Sequence, residues 1–381
     1  MDAIVTDVDV SSAVAGLRAL GRRGIRALAV GPRRNAGGLW SRYAAGTAVA
    51  CDVLADPEEF ASDIAALAGA HDDPVVYPGR EESIDALVAP RSPGRLLRTP
   101  YVAAWPLRLI RDKRSLGALA REAGLDVPRR IAQVMAGELT QVDAPFPFVA
   151  KPAQPGGFLR TAKLVRSREA LGALEASLPT DLPLLVQEYS RGPQVGLALV
   201  IEPGGRVVER FQQEVQRTWP LHGGGTSLAV SVRPDVELVE RAAAVLRAAG
   251  YWGLAQLDLI RAPEGYQVID VNPRFYTSLP LATACRVNLP AAWHAALEGG
   301  APWEGPGDYR VGVRYRWLEA DLSVLRHRWR PLLGRKAGAL WDGRDPVPTT
   351  LMAADVAGRR VTAFVDAKLA GPARRRFQRA A

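Results

Sequence analysis

Four residues, grouped in two short motifs, have side chains that suit a divalent cation and a phosphate. Asp258 lies in the first motif, Gln-Leu-Asp. The second, Asp-Val-Asn-Pro-Arg, contains Asp270, Asn272 and Arg274. Two carboxylates and an amide oxygen form an oxygen-only ligand set, which suits Mg²⁺ held together with substrate phosphates. An arginine beside such a set can neutralise a phosphoryl group during its transfer.

Two predicted strands, Leu254–Arg261 and Tyr266–Val271, bring these motifs together. The turn between them contains proline and glycine, so the two strands are expected to form a hairpin. A hairpin places Asp258 and Asp270 on neighbouring strands, and Asn272 shares the face of Asp270 because side chains alternate along a strand. The alternative is a hairpin with an ordinary polar face toward solvent. The apolar flanks and the convergence of the polar side chains favour a binding site.

The composition is typical of a soluble globular protein with a large buried core. The chain has 381 residues, of which 48% are hydrophobic and 23% are charged, enough for two or three domains. No stretch approaches the roughly 20 apolar residues of a membrane span, and the acidic N-terminus lacks the pattern of a signal peptide. The only cysteines, Cys51 and Cys285, predict neither a disulfide framework nor a zinc site. These features predict a cytoplasmic protein.

The net charge of +9 is compatible with an anionic partner. Arginines cluster at 326–330 and at 374–379, but no zinc finger or RNA-binding signature accompanies them, which argues against nucleic-acid binding. Two interpretations of the clusters remain open. They form either a solvated surface or a contact through residues 320–381 with an anionic substrate or a membrane surface.

The first hundred residues are predicted to form a Rossmann-like α/β unit. A strand at Ala3–Val8, a helix at Ser11–Gly24 and a strand at Ile25–Val30 imply a right-handed crossover and a parallel sheet. A later strand at Val75–Tyr77 and a helix from about Ser83 continue the alternation. The first strand is not followed by G-x-G-x-x-G, so dinucleotide binding is not predicted here.

Further strands and helices follow, and they suggest three parts. The predicted elements are a helix at Asp112–Ala123, strands at Phe146–Lys151, Leu184–Gln187, Val195–Ile201 and Arg206–Glu214, and helices at Val236–Gly250 and near Ala320–Trp329. Thr277 or Ser278 is expected to cap a helix. With a boundary at Pro100–Pro106, we divide the chain into 1–106, 107–300 and a basic extension at 301–381. Residues 107–190 would include a small subdomain that covers the nucleotide.

In this order, the elements resemble the ATP-grasp superfamily over about residues 1–295, especially its carboxylate–amine ligases with a Rossmann-like N-terminal domain. The resemblance implies a multidomain α/β and α+β fold in which an ATP-grasp fold follows the parallel-sheet domain. It implies metal ligation by Asp258, Asp270 and Asn272 and a catalytic role for Arg274, at a spacing like that of biotin carboxylase. It also implies nucleotide contacts from Lys113, Lys151, Gly156, Gly157, Gln187, Glu188, Tyr189 and Gln194.

The residues themselves partly support these assignments. Lys151 follows a strand and precedes a glycine turn, so it can present its charge to phosphate oxygens while Gly156 and Gly157 offer backbone N–H groups. The family often has glutamates where this chain has Gln187 and Gln194. Glutamine keeps an acceptor oxygen but loses the charge, so hydrogen bonding to a ribose is retained in principle.

The implied activity is ATP-dependent formation of an amide or peptide-type bond. A carboxylate would be converted to an acyl phosphate and then attacked by an amine, with release of ADP and phosphate. The resemblance implies ATP and Mg²⁺ (or Mn²⁺) and small-molecule carboxylate and amine substrates. A homodimer is one of the assemblies that the sequence leaves open. Two alternatives remain: a carboxylating or carbamoylating enzyme of the same fold, and a non-catalytic nucleotide-binding or membrane-surface module.

Overall fold

The structure is a computed structural model in which three sheets organise the described part of the chain. That part comprises residues 1–88, 97–101, 103–153, 162–220, 224–299, 307–317, 320, 338–339, 342–355 and 358. Among these residues, no helix has both the length and the apolar character needed to cross a membrane.

The N-terminal sheet has four parallel strands with helices between them. Its elements are β1 (Ala3–Val5), α1 (Ser11–Gly21), β2 (Ala27–Gly31), β3 (Ala44–Val49), α2 (Pro57–Gly69), β4 (Val75–Tyr77) and α3 (Glu81–Val88). The strand order is β3-β2-β1-β4, and every pairing is parallel. Strands β1, β2 and β4 are buried throughout, as expected of a sheet covered on both faces. The predicted parallel sheet is confirmed, although α3 begins at Glu81 rather than near Ser83.

Two helices lead from this sheet to a four-stranded antiparallel sheet. The elements are α4 (Ala104–Arg111), α5 (Lys113–Glu122), β5 (Arg130–Met135), β6 (Phe148–Pro152), β7 (Lys163–Val165), α6 (Arg168–Ala176) and β8 (Pro183–Glu188). The strand order is β5-β8-β6-β7. Asp112 caps α5 by accepting from the backbone N–H groups of Arg114 and Ser115. Pro106, in the predicted boundary, lies inside α4, in the first turn where a proline is tolerated.

The largest of the three sheets has seven strands. Its strands and the associated helices are β9 (Gln194–Ile201), β10 (Val207–Trp219), β11 (Gly225–Val232), α7 (Val236–Ala248), β12 (Gly253–Ala262), β13 (Gly265–Asn272), α8 (Leu279–Ala284), α9 (Leu289–Glu298), β14 (Arg314–Arg316) and β15 (Gly338–Ala339). The strand order is β13-β12-β9-β10-β11-β14-β15. Strand β10 continues past its predicted end at Glu214, because it pairs with β11 as far as Trp219 opposite Gly225.

An aromatic cluster joins the N-terminal sheet to the part of the chain that contains the seven-stranded sheet. The ring of Tyr77, on β4, stacks on Phe275 at 5.5 Å and meets the edge of Trp293 at 5.2 Å. All three side chains are buried in one core, which also contains residues of α1, β9 and β12. The N-terminal sheet therefore packs on the residues that follow the β12–β13 hairpin.

The C-terminal residues 342–355 return to the N-terminal sheet, and residues 346–355 are helical. The helix predicted near 320–329 lies outside the described residues except at Ala320. Both arginine clusters, at 326–330 and 374–379, also lie outside them.

Candidate functional site

A cavity of about 600 Å³ is lined by residues from the four-stranded antiparallel sheet and from the seven-stranded sheet. This volume is within the usual range for small-molecule sites. Ten of the residues singled out from the sequence line it: Lys113, Lys151, Gln187, Glu188, Tyr189, Gln194, Asp258, Asp270, Asn272 and Arg274. Gly156 and Gly157 lie outside the described residues. The fold thus gathers residues that are widely separated in sequence around one space.

The β12–β13 hairpin places Asp258 directly opposite Asp270 and Gln256 opposite Asn272. Asn272 Nδ2 donates to Asp258 Oδ2 at 3.2 Å, and Gln256 Nε2 donates to Asp258 Oδ1 at 2.8 Å. Burial raises the pKa of Asp258 to about 6, and the negative charge of Asp270 acts in the same direction. The hydrogen bonds from Gln256 and Asn272 lower this pKa and so oppose the shift. A cation bound between the two carboxylates would offset this electrostatic cost.

The donor set at the hairpin fits a magnesium ion that shares its coordination with phosphate. The described residues contain no group of three His, Cys, Asp or Glu side chains that would hold a metal by themselves. Magnesium, however, is often bound through one or two carboxylates together with substrate phosphates. Asn272 Oδ1 accepts from Arg274 Nη2 at 3.1 Å, and an amide oxygen has a second lone pair for another partner. Two carboxylates and this oxygen are therefore suitable ligands.

Two lysines converge on the same hairpin from other elements. Lys113, the first residue of α5, places Nζ 3.4 Å from Asp270 Oδ1. Lys151, on β6, is buried and donates to the carbonyl of Ile269 at 3.4 Å. Burial, together with the positive charge of Lys113, lowers the pKa of Lys151 to about 8, while Asp270 opposes the shift. Two cations beside two carboxylates provide the charge pattern of a metal–phosphate site.

The end of β8 and the segment that joins it to β9 border the cavity on another side. Gln187 is buried and donates through Nε2 to the carbonyl of Pro128 at 3.2 Å, so its amide is fixed by the backbone. Glu188 is exposed and pairs with Arg129 at 3.1 Å. Gly192 has a φ of 150°, and a Cβ there would lie 2.2 Å from the carbonyl oxygen of Arg261. Glycine is thus required where this segment crosses β12.

The order and geometry of these elements agree with a match between residues 110–278 and the ATP-grasp domain family. This part of the chain is an ATP-grasp domain. The solved structure of a biotin carboxylase–β-γ-ATP complex from Campylobacter jejuni has the same fold. Its TM-score is 0.62 at 16% identity, and the likeness covers 82% of this chain and 74% of that chain. A likeness over 82% of the chain extends beyond residues 110–278.

Two curated proteins are also similar to parts of the chain. The vancomycin B-type resistance protein VanB of Enterococcus faecalis is 27% identical over 205 residues, which are 47% of this chain and 58% of VanB. A probable alpha-L-glutamate ligase of Aeromonas salmonicida is 34% identical over 110 residues, which are 28% of this chain and 35% of that protein. The chain thus spans 58% and 35% of the length of these relatives.

Two residues near the ATP-grasp cavity were not identified from the sequence. Arg217, on β10, lines the cavity and donates through Nε to Ser227 Oγ at 2.9 Å. Its position as a basic residue shortly before a glycine-rich loop is a sequence signal that could have identified Arg217. Glu81, at the start of α3, accepts from Arg274 Nε at 2.7 Å, although the two residues are 193 positions apart. No local pattern links residues at that separation.

The expected capping role of Ser278 is not observed. Helix α8 has no side-chain hydrogen bond at its N-cap, which is Ser278. The hydroxyl of Ser278 instead accepts from Gln213 Nε2 at 2.6 Å, because β10 lies against the start of the helix. Thr277 and Ser278 both line the cavity of the ATP-grasp domain.

Proposed function

We propose that the protein is an ATP-dependent ligase that joins a carboxylate to an amine and releases ADP and phosphate. The observation that carries this proposal is the convergence of Lys113, Lys151 and Arg274 with Asp258 and Asp270 in one cavity. A site that only binds nucleotide has no need of an arginine beside the metal ligands. Phosphoryl transfer, by contrast, depends on positioning and on neutralisation of negative charge.

The proposed roles follow from the contacts. Asp258, Asp270 and Asn272 would hold Mg²⁺, which when bound neutralises phosphate charge. Lys113 and Lys151 would bind phosphate oxygens of ATP, and Arg274 would neutralise the phosphoryl group as it moves to the carboxylate. The nucleotide would also contact Gln187, Glu188, Tyr189 and Gln194, which lie at the end of β8, in the connection that follows it and at the start of β9.

The chain division is part of the proposal. Residues 1–106 would form the N-terminal domain and residues 107–300 the ATP-grasp domain, with residues 301–381 as the extension. The name of one relative, a probable alpha-L-glutamate ligase, together with the fold shared with biotin carboxylase, supports ATP-dependent ligation as the reaction class. Homodimer formation and a surface contact through residues 320–381 stay predictions.

The test is ADP release from Mg·ATP in the presence of pairs drawn from panels of carboxylates and amines. We expect release that needs both members of one pair and a product whose mass equals their sum minus water. Asp270→Asn should abolish this release. Asp126→Asn is the matched control, because Asp126 is exposed and binds the same hairpin only through its backbone.

Other outcomes would contradict the proposal. Release that requires bicarbonate but no amine would indicate a carboxylating or carbamoylating enzyme. Tight nucleotide binding without turnover on any pair, unchanged by Asp270→Asn, would favour a binding module.

A further inference from the structure

Arg274 is held by three hydrogen bonds, one from each of its guanidinium nitrogens. Its Nε donates to Glu81 Oε1 at 2.7 Å, its Nη1 to the carbonyl of Phe275 at 3.1 Å, and its Nη2 to Asn272 Oδ1 at 3.1 Å. A guanidinium has five N–H groups. Within the described part of the chain, the three bonds use three of these N–H groups. One N–H group on Nη1 and one on Nη2 are left for a further partner. Such a pair can bind two oxygens of one phosphoryl group.

Glu81 is the only acidic partner of Arg274 among the ion pairs of the described residues, and it comes from the N-terminal sheet. Its second oxygen, Oε2, lies 2.8 Å from Nε of the buried Arg111 on α4. Arg111 also forms two bonds with Asp85, at 2.6 and 3.1 Å. A chain of opposite charges therefore runs from Asp85 through Arg111 and Glu81 to Arg274. It places a positive charge on each side of the Glu81 carboxylate, with a hydrogen bond to Arg274 and an ion pair without hydrogen-bond geometry to Arg111.

We propose that Glu81 is a positioning residue for the reaction, which orients Arg274 toward the transferred phosphoryl group. This inference rests on the proposed ligase function. Arg274 has a long side chain with several rotatable bonds, and a charge-assisted bond at Nε fixes the plane of its guanidinium. The Glu81 carboxylate is only one-fifth exposed, so water screens this bond weakly. The N-terminal sheet would thereby complete the phosphoryl site of the ATP-grasp domain.

The test is a double-mutant cycle of Glu81→Gln and Arg274→Ala, read as kcat and KM for Mg·ATP. Arg274→Ala should lower kcat by about a hundredfold to a thousandfold with a small change in KM. Glu81→Gln keeps the side-chain length but removes the charge. It should lower kcat by about tenfold to a hundredfold, again with little change in KM. In the Arg274→Ala background, Glu81→Gln should have almost no further effect on kcat, because the group that it orients is gone.

Asp126→Asn is the matched control. Asp126 is exposed, it binds the β12–β13 hairpin through its backbone, and no ion pair of the described residues joins it to Glu81 or Arg274. We expect its kcat to stay within about twofold of the wild type, since substitutions at such surface positions usually have small effects. The unfolding midpoint of every variant is measured alongside, so that a loss of fold is seen separately.

Several results would overturn the role of Glu81. One is a kcat for Glu81→Gln equal to that of the wild type. Another is a Glu81→Gln effect of the same size in both backgrounds, which would indicate a purely structural contribution. A wild-type protein that neither binds Mg·ATP nor releases ADP would instead overturn the proposed function, and the role of Glu81 with it. Measurements of ATP binding and ADP release on the wild type therefore separate a failure of the proposed function from a failure of the role of Glu81.

Discussion

The guanidinium of Arg18 and the carboxylate of Asp345 form a buried ion pair across 327 positions of sequence, with Nε 2.7 Å from Oδ2. Their side chains are only 7% and 2% exposed. Asp345 also accepts from the hydroxyl of Ser41 at 2.7 Å and from the backbone N–H of Arg42 at 2.9 Å. Residues beyond the ATP-grasp domain are thus fastened to α1 of the N-terminal sheet.

Asp345→Asn should lower the free energy of unfolding by about 3–5 kcal/mol, because it leaves the charge of Arg18 buried without its partner. The measurement is chemical denaturation of the full chain. The control is Glu202→Gln, which breaks a pair with Arg206 at 2.8 Å whose side chains are 55% and 29% exposed. That change should cost less than about 1 kcal/mol. Equal losses in the two variants would contradict this account of Asp345.

Gly16→Ala should destabilise the protein, although alanine is normally the better helix former. Gly16 lies on α1, and a Cβ at this position would be 2.2 Å from the ring of Phe275. The ring is buried against Tyr77 and Trp293, so relief of the clash should cost about 1–3 kcal/mol. The matched substitution is Gly172→Ala on α6, where a Cβ meets nothing within 4 Å. It should stabilise by about 0.5–1 kcal/mol, so thermal unfolding should shift in opposite directions.

His294 should make the protein less stable as the pH falls below about 6.5, the ordinary pKa of histidine. Its Nδ1 is 2.9 Å from the hydroxyl of Tyr77, and burial lowers its pKa, with Arg98 acting in the same direction and Glu298 and Asp2 against it. Between the folded and unfolded pKa values, the unfolded state binds more protons. Stability is therefore fully present above about pH 6.5 and declines as the pH falls toward the folded value.

The measurement for His294 is the free energy of unfolding of the wild type and of His294→Gln at several pH values from about 5.5 to 7.5. Other titrating groups are common to both proteins, so their contributions cancel in the difference. That difference should shrink as the pH falls. A difference independent of pH would contradict the prediction.

Nucleotide affinity should decrease as the pH rises above about 8. Burial and the positive charge of Lys113 lower the pKa of Lys151 to about this value. A phosphate near Lys151 favours its charged form, so binding requires the proton that the free protein loses at high pH. Isothermal titration with Mg·ATP, in buffers of different ionisation enthalpy, should show proton uptake near pH 8.5. Lys151→Arg keeps its charge throughout this range, so its affinity should vary less between pH 7.5 and 9. The same pH profile for both proteins would exclude Lys151 as the titrating group.

The sequence by itself determined the local elements of the site. The β12–β13 hairpin was predictable because alternating apolar residues and a proline–glycine turn act over a few neighbouring positions. The same holds for the helix start at Lys113, where Asp112 caps the backbone, and for the strand that ends beside Lys151. The parallel sheet followed from the alternation of strands and helices, which restricts the topology.

Only the tertiary structure decided how distant elements meet. The contact of Glu81 with Arg274 and the burial of Asp345 against Arg18 depend on the packing of separate sheets and helices. The length of β10 was decided by its pairing with β11, and the hydroxyl of Ser278 was taken by Gln213 rather than by the helix backbone. Hydrophobic periodicity predicts which face of a helix or strand is buried, but it does not predict which other element packs against that face. Those partners are set by the shape and charge complementarity of whole elements, which exists only once the chain has folded.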